Sequence, residues 1–185
     1  MGPIPKPQHH TVDEWLAQPE SARLELVDGE FVEKAGPTFE HGVVQSATLT
    51  PLYEAFSRKP GGPGGPPGGW WLGTEIDILL DGRGFRPDIA GWRRERMPVR
   101  PKSRPVTLRP DWICEVLSDS NRSHDLVVKL RYYAQSGVPH YWTLDGDAGT
   151  LTVFRLGAEG YVVALAAQAG ERVRAEPFDA IELSV

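Results

Sequence analysis

The sequence is poor in the features that define several familiar classes of protein. Its 185 residues include a single cysteine, Cys114, which excludes an internal disulfide framework and favours a reducing, cytoplasmic location. No apolar run approaches the roughly 20 residues of a membrane span, and the proline-rich start lacks the apolar segment of a signal peptide. The net charge of −5 argues against a protein that coats nucleic acid over its whole surface.

Short motifs of well-characterised chemistries are missing as well. The sequence has no H-E-x-x-H, no pair of C-x-x-C motifs, no phosphate-binding P-loop and no G-x-S-x-G. The five histidines lack the spacing of metal ligands: His9, His10, His41, His124 and His140. Sites built on these motifs are therefore discounted.

The stretch from Trp112 to Ser118 predicts a strand that is buried on both faces. Alternate residues point to opposite faces of a strand, and here both faces carry apolar side chains. Glu115 is the exception, on the same face as Ile113 and Leu117. An ionised carboxylate in that position is costly unless a cation, a metal or hydrogen-bond donors meet it. Glu115 is therefore a candidate functional residue.

An amphipathic helix is predicted after this strand, because apolar residues recur there at helical spacing. The apolar stripe consists of Leu126, Val127, Leu130, Tyr133 and Ala134. Lys129 borders the stripe, so its long side chain can follow apolar surface and bring the ammonium toward Glu115. Asp125 precedes it by one turn, in the favourable acid-before-lysine order. A second buried strand is predicted from Val138 to Leu144.

The N-terminal part of the sequence predicts simple local elements. Residues 1–10 should form a flexible arm, and the capping box at residues 11–14 should open a short helix. Asp28-Gly29 is a strong hairpin signal, with Glu25 and Glu30 as solvated strand positions.

A second helix is predicted from Glu40 or His41 to about Ser57. Pro51 should kink or split this helix, since proline lacks the N–H of the helical hydrogen bond and its ring disturbs the preceding turn. Residues 59–69 are almost entirely glycine and proline and predict a loop without a core of its own.

Two strands are predicted on either side of residues 81–84. If Leu80 pairs with Phe85 across this turn, Asp77 lies directly opposite Asp88. Two like charges in that arrangement are unfavourable and invite a cation. A solvated polar edge explains the same pattern, and the hairpin alone favours that alternative.

The connection at residues 93–110 is strongly basic and is interrupted by prolines. It carries seven basic residues and one acid, a local charge of +6, which leaves −11 on the rest of the chain. The loop joins the strand of Asp88 to the strand of Glu115, which is where a polyanion would have to be held. The candidate DNA contacts are Arg93, Arg94, Arg96, Arg100, Lys102 and Arg104. A solvated loop that happens to be basic is an equally good explanation of the composition alone.

An ordered set of short stretches resembles the Uma-type family of putative restriction endonucleases, within the PD-(D/E)XK phosphodiesterase superfamily. The matching pieces are Glu25-Leu-Val-Asp-Gly29, His41 at the start of a helix, Arg86-Pro-Asp-Ile89, Glu115-Val-Leu-Ser118, Asp125 with Lys129, Tyr133-Ala134, Gly137-Val-Pro139, and Tyr141-Trp142 before Asp145. They cover most of the chain in the order of the family.

The resemblance implies a restriction-endonuclease-like core, in which a mixed central β-sheet is flanked by helices. We expect this α/β fold to form a single nuclease-like domain over residues 1–185, with an N-terminal hairpin and C-terminal strands added to the core.

The resemblance also implies one divalent-metal site. Asp88 and Glu115 would bind Mg²⁺ or Mn²⁺, with Glu40 as a secondary contact and Asp77 as a speculative further ligand. Lys129 would orient the attacking water or neutralise the transition state. The supporting residues would be Asp125 and Tyr133.

One position departs from the pattern of the superfamily. The superfamily places a lysine two residues after the glutamate, where this sequence has Leu117. Members of the family resemble this chain in carrying a lysine on the following helix, so Lys129 would take over the role.

The function predicted from these residues is metal-dependent hydrolysis of DNA phosphodiester bonds. The expected partners are DNA and a divalent metal, without a membrane, and a homodimer is considered. A catalytically inactive nuclease fold that serves as a binding or assembly module is the alternative. A third interpretation treats the acid–lysine cluster as a buried structural ion pair without a function.

Overall fold

The computed structural model describes residues 9–58 and 67–185. Most of the predicted N-terminal arm at residues 1–10 and of the predicted glycine–proline loop at residues 59–69 lies outside the described residues. Within the described chain, the structure is a mixed α/β fold with a mixed central sheet flanked by helices, as the sequence predicted.

The central sheet is formed by six strands of the described chain in the order β10-β9-β8-β7-β6-β3. Their bounds are β3 Trp70–Thr74, β6 Ile89–Arg93, β7 Trp112–Leu117, β8 His140–Asp145, β9 Thr150–Gly157 and β10 Gly160–Gln168. Strands β7 and β8 are parallel and the other neighbours are antiparallel. A parallel pair needs a crossover connection, and the helical segment after β7 provides it.

A second, smaller sheet lies beside the central one and contains the N-terminal hairpin. Its order is β2-β1-β5-β4, and its strands are β1 Leu24–Val27, β2 Glu30–Glu33, β4 Ile78–Leu80 and β5 Arg83–Phe85. Asp28 and Gly29 both have positive φ angles, of 52° and 82°, as a two-residue hairpin turn requires. The predicted hairpin is therefore confirmed. A two-stranded ribbon of β11 Arg172–Val173 and β12 Leu183–Ser184 lies near the C-terminus.

The first two helices begin at threonine caps. Helix α1, Val12–Leu16, begins at the predicted capping box of Thr11 and Glu14. Helix α2, Phe39–Phe56, begins where Thr38 accepts a hydrogen bond from the backbone of His41. Pro51 lies inside α2 without splitting it, so the expected break is absent.

The helix after β7 differs from the predicted amphipathic helix. It consists of a π-helical segment, His124–Lys129, followed by α3, Leu130–Gln135. The wider π-helical turns bury Asp125 and Lys129 and leave Val127 59% exposed, so the predicted apolar stripe is wrong in its first turn. The buried face of this element begins polar and becomes aromatic at Tyr132 and Tyr133.

Two apolar cores cover the two faces of the central sheet. One face, with Ile113, packs against the small sheet and α3. The other face, with Trp112 and Cys114, packs against α2 and the C-terminal segment around Phe178. This alternation confirms the predicted facing of β7 and leaves Glu115 on the side of Tyr133.

The predicted pairing of Asp77 with Asp88 is wrong. Strand β4 pairs with β5 so that Ile78 lies opposite Phe85, two positions away from the assumed register. Asp77 instead pairs with the guanidinium of Arg86, at 2.6 Å between Arg86 Nε and Asp77 Oδ1. Opposite charges satisfy each other in this register, and the like-charge pair that was expected to attract a metal does not form.

Among the described residues, no helix has both the length and the apolar character that crossing a membrane requires.

Candidate active site

Asp88 and Glu115 are neighbours on adjacent strands. Asp88 immediately precedes β6, and Ile89 pairs with Cys114 on β7. Glu115 Oε2 accepts the backbone N–H of Asp88 at 3.2 Å, and Asp88 Oδ2 accepts the backbone N–H of Val116 at 2.7 Å. Each carboxylate is thus held by a backbone N–H beside the other carboxylate, and the structure brings the two predicted residues together.

Lys129 is the centre of a buried group of carboxylates. Its Nζ lies 3.1 Å from Glu25 Oε1, 3.0 Å from Glu115 Oε1 and 3.1 Å from Asp125 Oδ1. Tyr133 Oη donates to Glu115 Oε1 at 3.0 Å. Lys129 thus has three carboxylates at ion-pair distance, and it donates an aligned hydrogen bond to Glu115 Oε1. Lys129 is 1% exposed, which excludes a surface pair with Asp125.

Glu25 belongs to this group although its sequence position predicted a solvated strand residue. It is 1% exposed, and besides Lys129 it accepts the backbone N–H of Arg86 at 2.9 Å and contacts His124 Nε2 at 3.1 Å. The interpretation of Glu25 as solvated is wrong, because the small sheet packs its β1 face onto the π-helical segment. The stretch Glu25-Leu-Val-Asp-Gly29 in the resemblance was the available signal.

Two further residues contact Asp88, and the sequence analysis predicted neither of them as a site residue. Lys34, just after β2, donates to Asp88 Oδ1 at 2.7 Å. His41, in the first turn of α2, has its Nε2 atom 3.1 Å from the same oxygen. This Nε2 atom is buried and makes no aligned hydrogen bond within the described residues.

Burial and charge act differently on the pKa values of these acids. Burial raises the pKa of Glu115 well above its usual value, and the nearby ammonium of Lys129 offsets this only in part. Burial also acts to raise the pKa of Glu25, but Lys129, His124 and Lys34 outweigh it and hold that pKa at about 2. The pKa of Asp88 is likewise lowered, because His41 and Lys34 outweigh the effect of burial.

The buried group carries more negative than positive charge. Four buried carboxylates face two buried ammonium groups, those of Lys34 and Lys129. The carboxylates are Glu25, Asp88, Glu115 and Asp125. With all four ionised, the carboxylates outnumber the two lysines by two, and uncompensated buried charge is costly. Burial raises the pKa of Glu115 and of Asp125, and a divalent cation beside Asp88 and Glu115 would favour the ionised forms. The carboxylate oxygens present fit Mg²⁺ or Mn²⁺.

The number of protein ligands also limits which metal fits. Within the described residues, no three or more histidine, cysteine, aspartate or glutamate side chains converge on one metal position. A site with two carboxylates suits Mg²⁺, which keeps several of its waters and uses one or two protein carboxylates. It does not suit a structural zinc site with four protein ligands.

An open cavity of about 370 Å³ adjoins this group. His41 and Val116, which contact Asp88, lie in its wall, and Leu117 lies beside them. Exposed carboxylates also line the cavity: Glu40, Asp119 and Asp147. Glu40 is thus placed at the mouth of the site, consistent in position with a secondary role, whereas Asp77 is engaged by Arg86 and Arg104.

The basic loop is not arranged as the sequence suggested. It leaves β6 at Arg93, the end opposite Asp88, and five strand residues span about 16 Å. Several of its basic residues make internal contacts. Arg94 donates to the carbonyls of Ser57 and Trp70, Arg96 pairs with Asp111, and Arg104 pairs with Glu20 and Asp77.

Three basic residues of the loop are exposed and have no ion pair within the described chain: Arg93, Arg100 and Lys102. Arg93 and Arg100 lie over the rings of Trp70 and Trp71, respectively. A role of the loop in DNA binding therefore depends mainly on these three residues.

The fold and the carboxylate–lysine group together define a restriction-endonuclease-like core. A solved structure with this fold is described as that of a putative nuclease belonging to DUF820 from Anabaena variabilis. The two chains share 21% identity, with 94% of each chain covered and a TM-score of 0.76. At that identity the likeness establishes the fold.

The family is established by a match over nearly the whole chain. The model of the Uma2 family, described as "Putative restriction endonuclease", matches residues 10–185. The chain belongs to the Uma2 family. No curated protein matches the sequence.

Proposed function

We propose that the chain is a nuclease that hydrolyses DNA phosphodiester bonds with Mg²⁺ or Mn²⁺ as its cofactor. The observation that carries the proposal is the fixed pair of Asp88 and Glu115, which lies beside an open cavity. The description of the family as restriction endonucleases supports the reaction class.

Asp88 and Glu115 would hold the metal. When bound there, Mg²⁺ supplies Lewis-acid stabilisation of charge on the phosphoryl oxygens. The backbone N–H groups of Asp88 and Val116 keep the two carboxylates in place before the metal arrives. Preorganised ligands of this kind need little rearrangement on binding.

A cation is needed for DNA to approach this site. Three exposed carboxylates line the cavity, and their field repels phosphate. Neutralising part of this charge would let a phosphodiester reach His41, whose ring lies in the cavity wall beside Asp88. The ring can donate a hydrogen bond to the phosphate when it is protonated.

Lys129 positions Glu115 in this proposal. Its Nζ lies within 3.1 Å of three carboxylates, so a contact with substrate would have to compete with them. Its charge opposes burial, which nevertheless raises the pKa of Glu115 well above its usual value. The role at the attacking water or the transition state, which the resemblance implied, remains a prediction.

The test is cleavage of supercoiled plasmid DNA by the purified chain with Mg²⁺ or Mn²⁺, compared with the same reaction in a chelator. We expect nicking or linearisation with metal alone, and its loss in Asp88→Asn and Glu115→Gln. The metal should also raise the melting temperature of the wild type by mass action, and Glu115→Gln should abolish that rise. Equal thermal shifts in wild type and variant would contradict a metal at Glu115.

A second candidate is a catalytically inactive nuclease fold that binds nucleic acid. It is favoured by Leu117, which lines the cavity where the superfamily pattern has lysine, and by the engagement of Lys129 with three carboxylates. In that case DNA would bind to the wild type without being cut at any metal concentration. Leu117→Lys, which places an ammonium in the cavity, should then introduce cleavage.

A further inference from the structure

Lys34 contacts Asp88, one of the two residues that would hold the metal, and belongs to none of the motifs found in the sequence. It follows β2 directly, and its side chain is 4% exposed. Its Nζ donates to Asp88 Oδ1 and to the carbonyl of Arg86, both at 2.7 Å. A buried lysine thus already neutralises one of the two carboxylates to which the proposed function assigns the metal.

The third donor of Lys34 is weakly used. It reaches only Glu75, at 3.4 Å to Oε1 and 3.5 Å to Oε2. The Glu75 side chain is 27% exposed and is held by Arg23, 3.1 Å from Glu75 Oε2. Lys34 therefore lies between two carboxylates. Asp88 is buried and close to the ammonium, whereas Glu75 is more exposed and farther from it.

We propose that Lys34 is a resident counter-cation of Asp88 that a divalent metal displaces toward Glu75. This inference rests on the proposed function, since it takes Asp88 as a metal ligand. Lys34 Nζ lies 2.7 Å from Asp88 Oδ1, so a metal ion on that oxygen would lie close to the ammonium and would be repelled by it. A short movement to Glu75 keeps the ammonium paired, so the exchange leaves no buried charge without a partner.

The consequence is that Lys34 sets the affinity of the site for metal. Binding must supply the free energy to separate Lys34 from Asp88, so this chain should hold Mg²⁺ more weakly than it would without the lysine. An ordinary structural ion pair has a different outcome: Lys34 would stay on Asp88 when metal is added.

The first test measures Mn²⁺ affinity by calorimetry in Lys34→Met and Lys34→Gln. We expect binding at least about tenfold tighter than in the wild type, the scale on which one adjacent charge shifts the equilibrium of a carboxylate. Glu75→Gln, which removes the alternative partner, should weaken binding. Arg172→Gln, a charge removed from an exposed pair near the C-terminus, is the control and should change affinity little.

Metal affinities measured at high salt distinguish direct displacement of Lys34 from a general effect of the charge that the variants remove. At roughly 0.5 M KCl the Debye length is only a few ångströms, so effects between distant charges are largely screened. The tighter binding of the two Lys34 variants should persist under these conditions. Loss of the difference at high salt would overturn the inference.

The second test uses the wild type alone and does not depend on a variant that folds. The chain has five lysines, so ¹⁵N-labelled ammonium groups give few signals in an NMR spectrum. On saturation with Mg²⁺, hydrogen exchange at Lys34 Nζ should accelerate as the group moves toward the partly exposed Glu75. Lys129 Nζ should stay protected, because Glu25 and Asp125 still hold it.

The outcomes distinguish the inference from the proposed function. Equal Mn²⁺ affinity in wild type and Lys34 variants, or an unchanged Lys34 signal in the metal-saturated wild type, overturns the inference alone. Absence of metal binding in every form of the protein overturns both. Binding by the Lys34 variants but not by the wild type supports both.

Discussion

Lys129 is surrounded by more negative charge than one ammonium can neutralise, and this makes it the residue on which the buried group depends. Burial acts to lower its pKa, but Glu115, Glu25 and Asp125 outweigh burial and raise the pKa well above its usual value. A charge stabilised in this way is costly to remove, because three carboxylates are left buried without a cation.

Lys129→Ala should therefore destabilise the fold as well as the reaction. We expect the free energy of unfolding in urea to fall by about 3–5 kcal/mol, the range for breaking a buried pair. Asp125→Asn in the same chain removes one of the stranded carboxylates and should recover part of that loss, so the two effects should not add. Strict additivity would show that the two residues are not coupled.

Lys129→Ala also tests the catalytic role of Lys129, under conditions in which the variant remains folded. Cleavage by Lys129→Ala should fall by roughly 10²-fold or more, the scale for losing one charge contact that supports the transition state. Measured at a temperature where circular dichroism shows a native fold, full activity would remove Lys129 from the chemistry.

Glu25 gives a prediction for the dependence of stability on pH. Its pKa is lowered from 4.5 to about 2, so its ionised form contributes stability above pH 4.5. That contribution is lost as the pH falls from 4.5 toward 2, and a shift of this size corresponds to about 3 kcal/mol. Urea titrations should show that Glu25→Gln loses less stability than the wild type over this window; an equal loss in both would contradict the lowered pKa.

The sequence predicted Glu115 and Lys129 because their charges interrupt or border apolar patterns. Asp88 was singled out by the assumed strand register and by the family resemblance. Glu25 and Lys34 lie in a short hairpin whose alternating polar residues look solvated. Their burial comes from the packing of that hairpin on distant segments, which local spacing cannot reveal.

At the scale of elements, the π-helical segment explains why the predicted apolar stripe failed. The prediction assumed 3.6 residues per turn, whereas the wider turns between His124 and Lys129 rotate Val127 out to solvent. Asp125 and Lys129, four residues apart, share the buried face. The segment that carries them is π-helical, in keeping with the frequent occurrence of π-helical turns at functional sites.

The basic loop should contribute to DNA binding through its unpaired residues. Arg100→Ala with Lys102→Ala should weaken binding across DNA sequences and reduce the salt dependence, since fewer phosphate contacts release fewer counterions. Fluorescence anisotropy at several salt concentrations would measure both effects, and metal binding should be unchanged. Unaltered affinity would reduce the loop to a solvated connector.

Arg104→Ala is the informative comparison for this pair. Its guanidinium contacts Asp77 and Glu20, so its removal should lower stability rather than the salt dependence of DNA binding. The structure therefore distinguishes paired from unpaired basic residues in a loop that the sequence showed only as uniformly basic.

At the scale of the whole molecule, the fold class was predictable from the sequence, but strand register was not. The predicted order of buried strand, helix and buried strand is present, and its two strands, β7 and β8, form a parallel pair. The turn at residues 81–84 allowed two registers, and in the observed one Asp77 pairs with Arg86. A shift of two positions keeps the same faces buried, so hydrophobic alternation carries no information about it.

The C-terminal segment completes one of the two cores. Phe178 is fully buried and contacts the rings of Phe56, Trp70, Trp112 and Trp142. Phe178→Ala should lower the free energy of unfolding by about 3–5 kcal/mol, the usual cost of deleting a buried aromatic ring. Metal affinity of the folded protein should be unchanged, because this core lies on the face opposite Glu115. Val163→Ala, at a 60% exposed position, is the control and should have little effect.

The three carboxylates around Lys129 have a consequence for the life of the chain in the cell. They come from β1, β7 and the π-helical segment, so Lys129 and its partner Asp125 are added to the chain long after Glu25. A prematurely terminated product that ends before Lys129 has Glu25 and Glu115 but lacks the ammonium that both contact. Such fragments cannot assemble the buried group, so incomplete synthesis of this protein yields chains without an intact site.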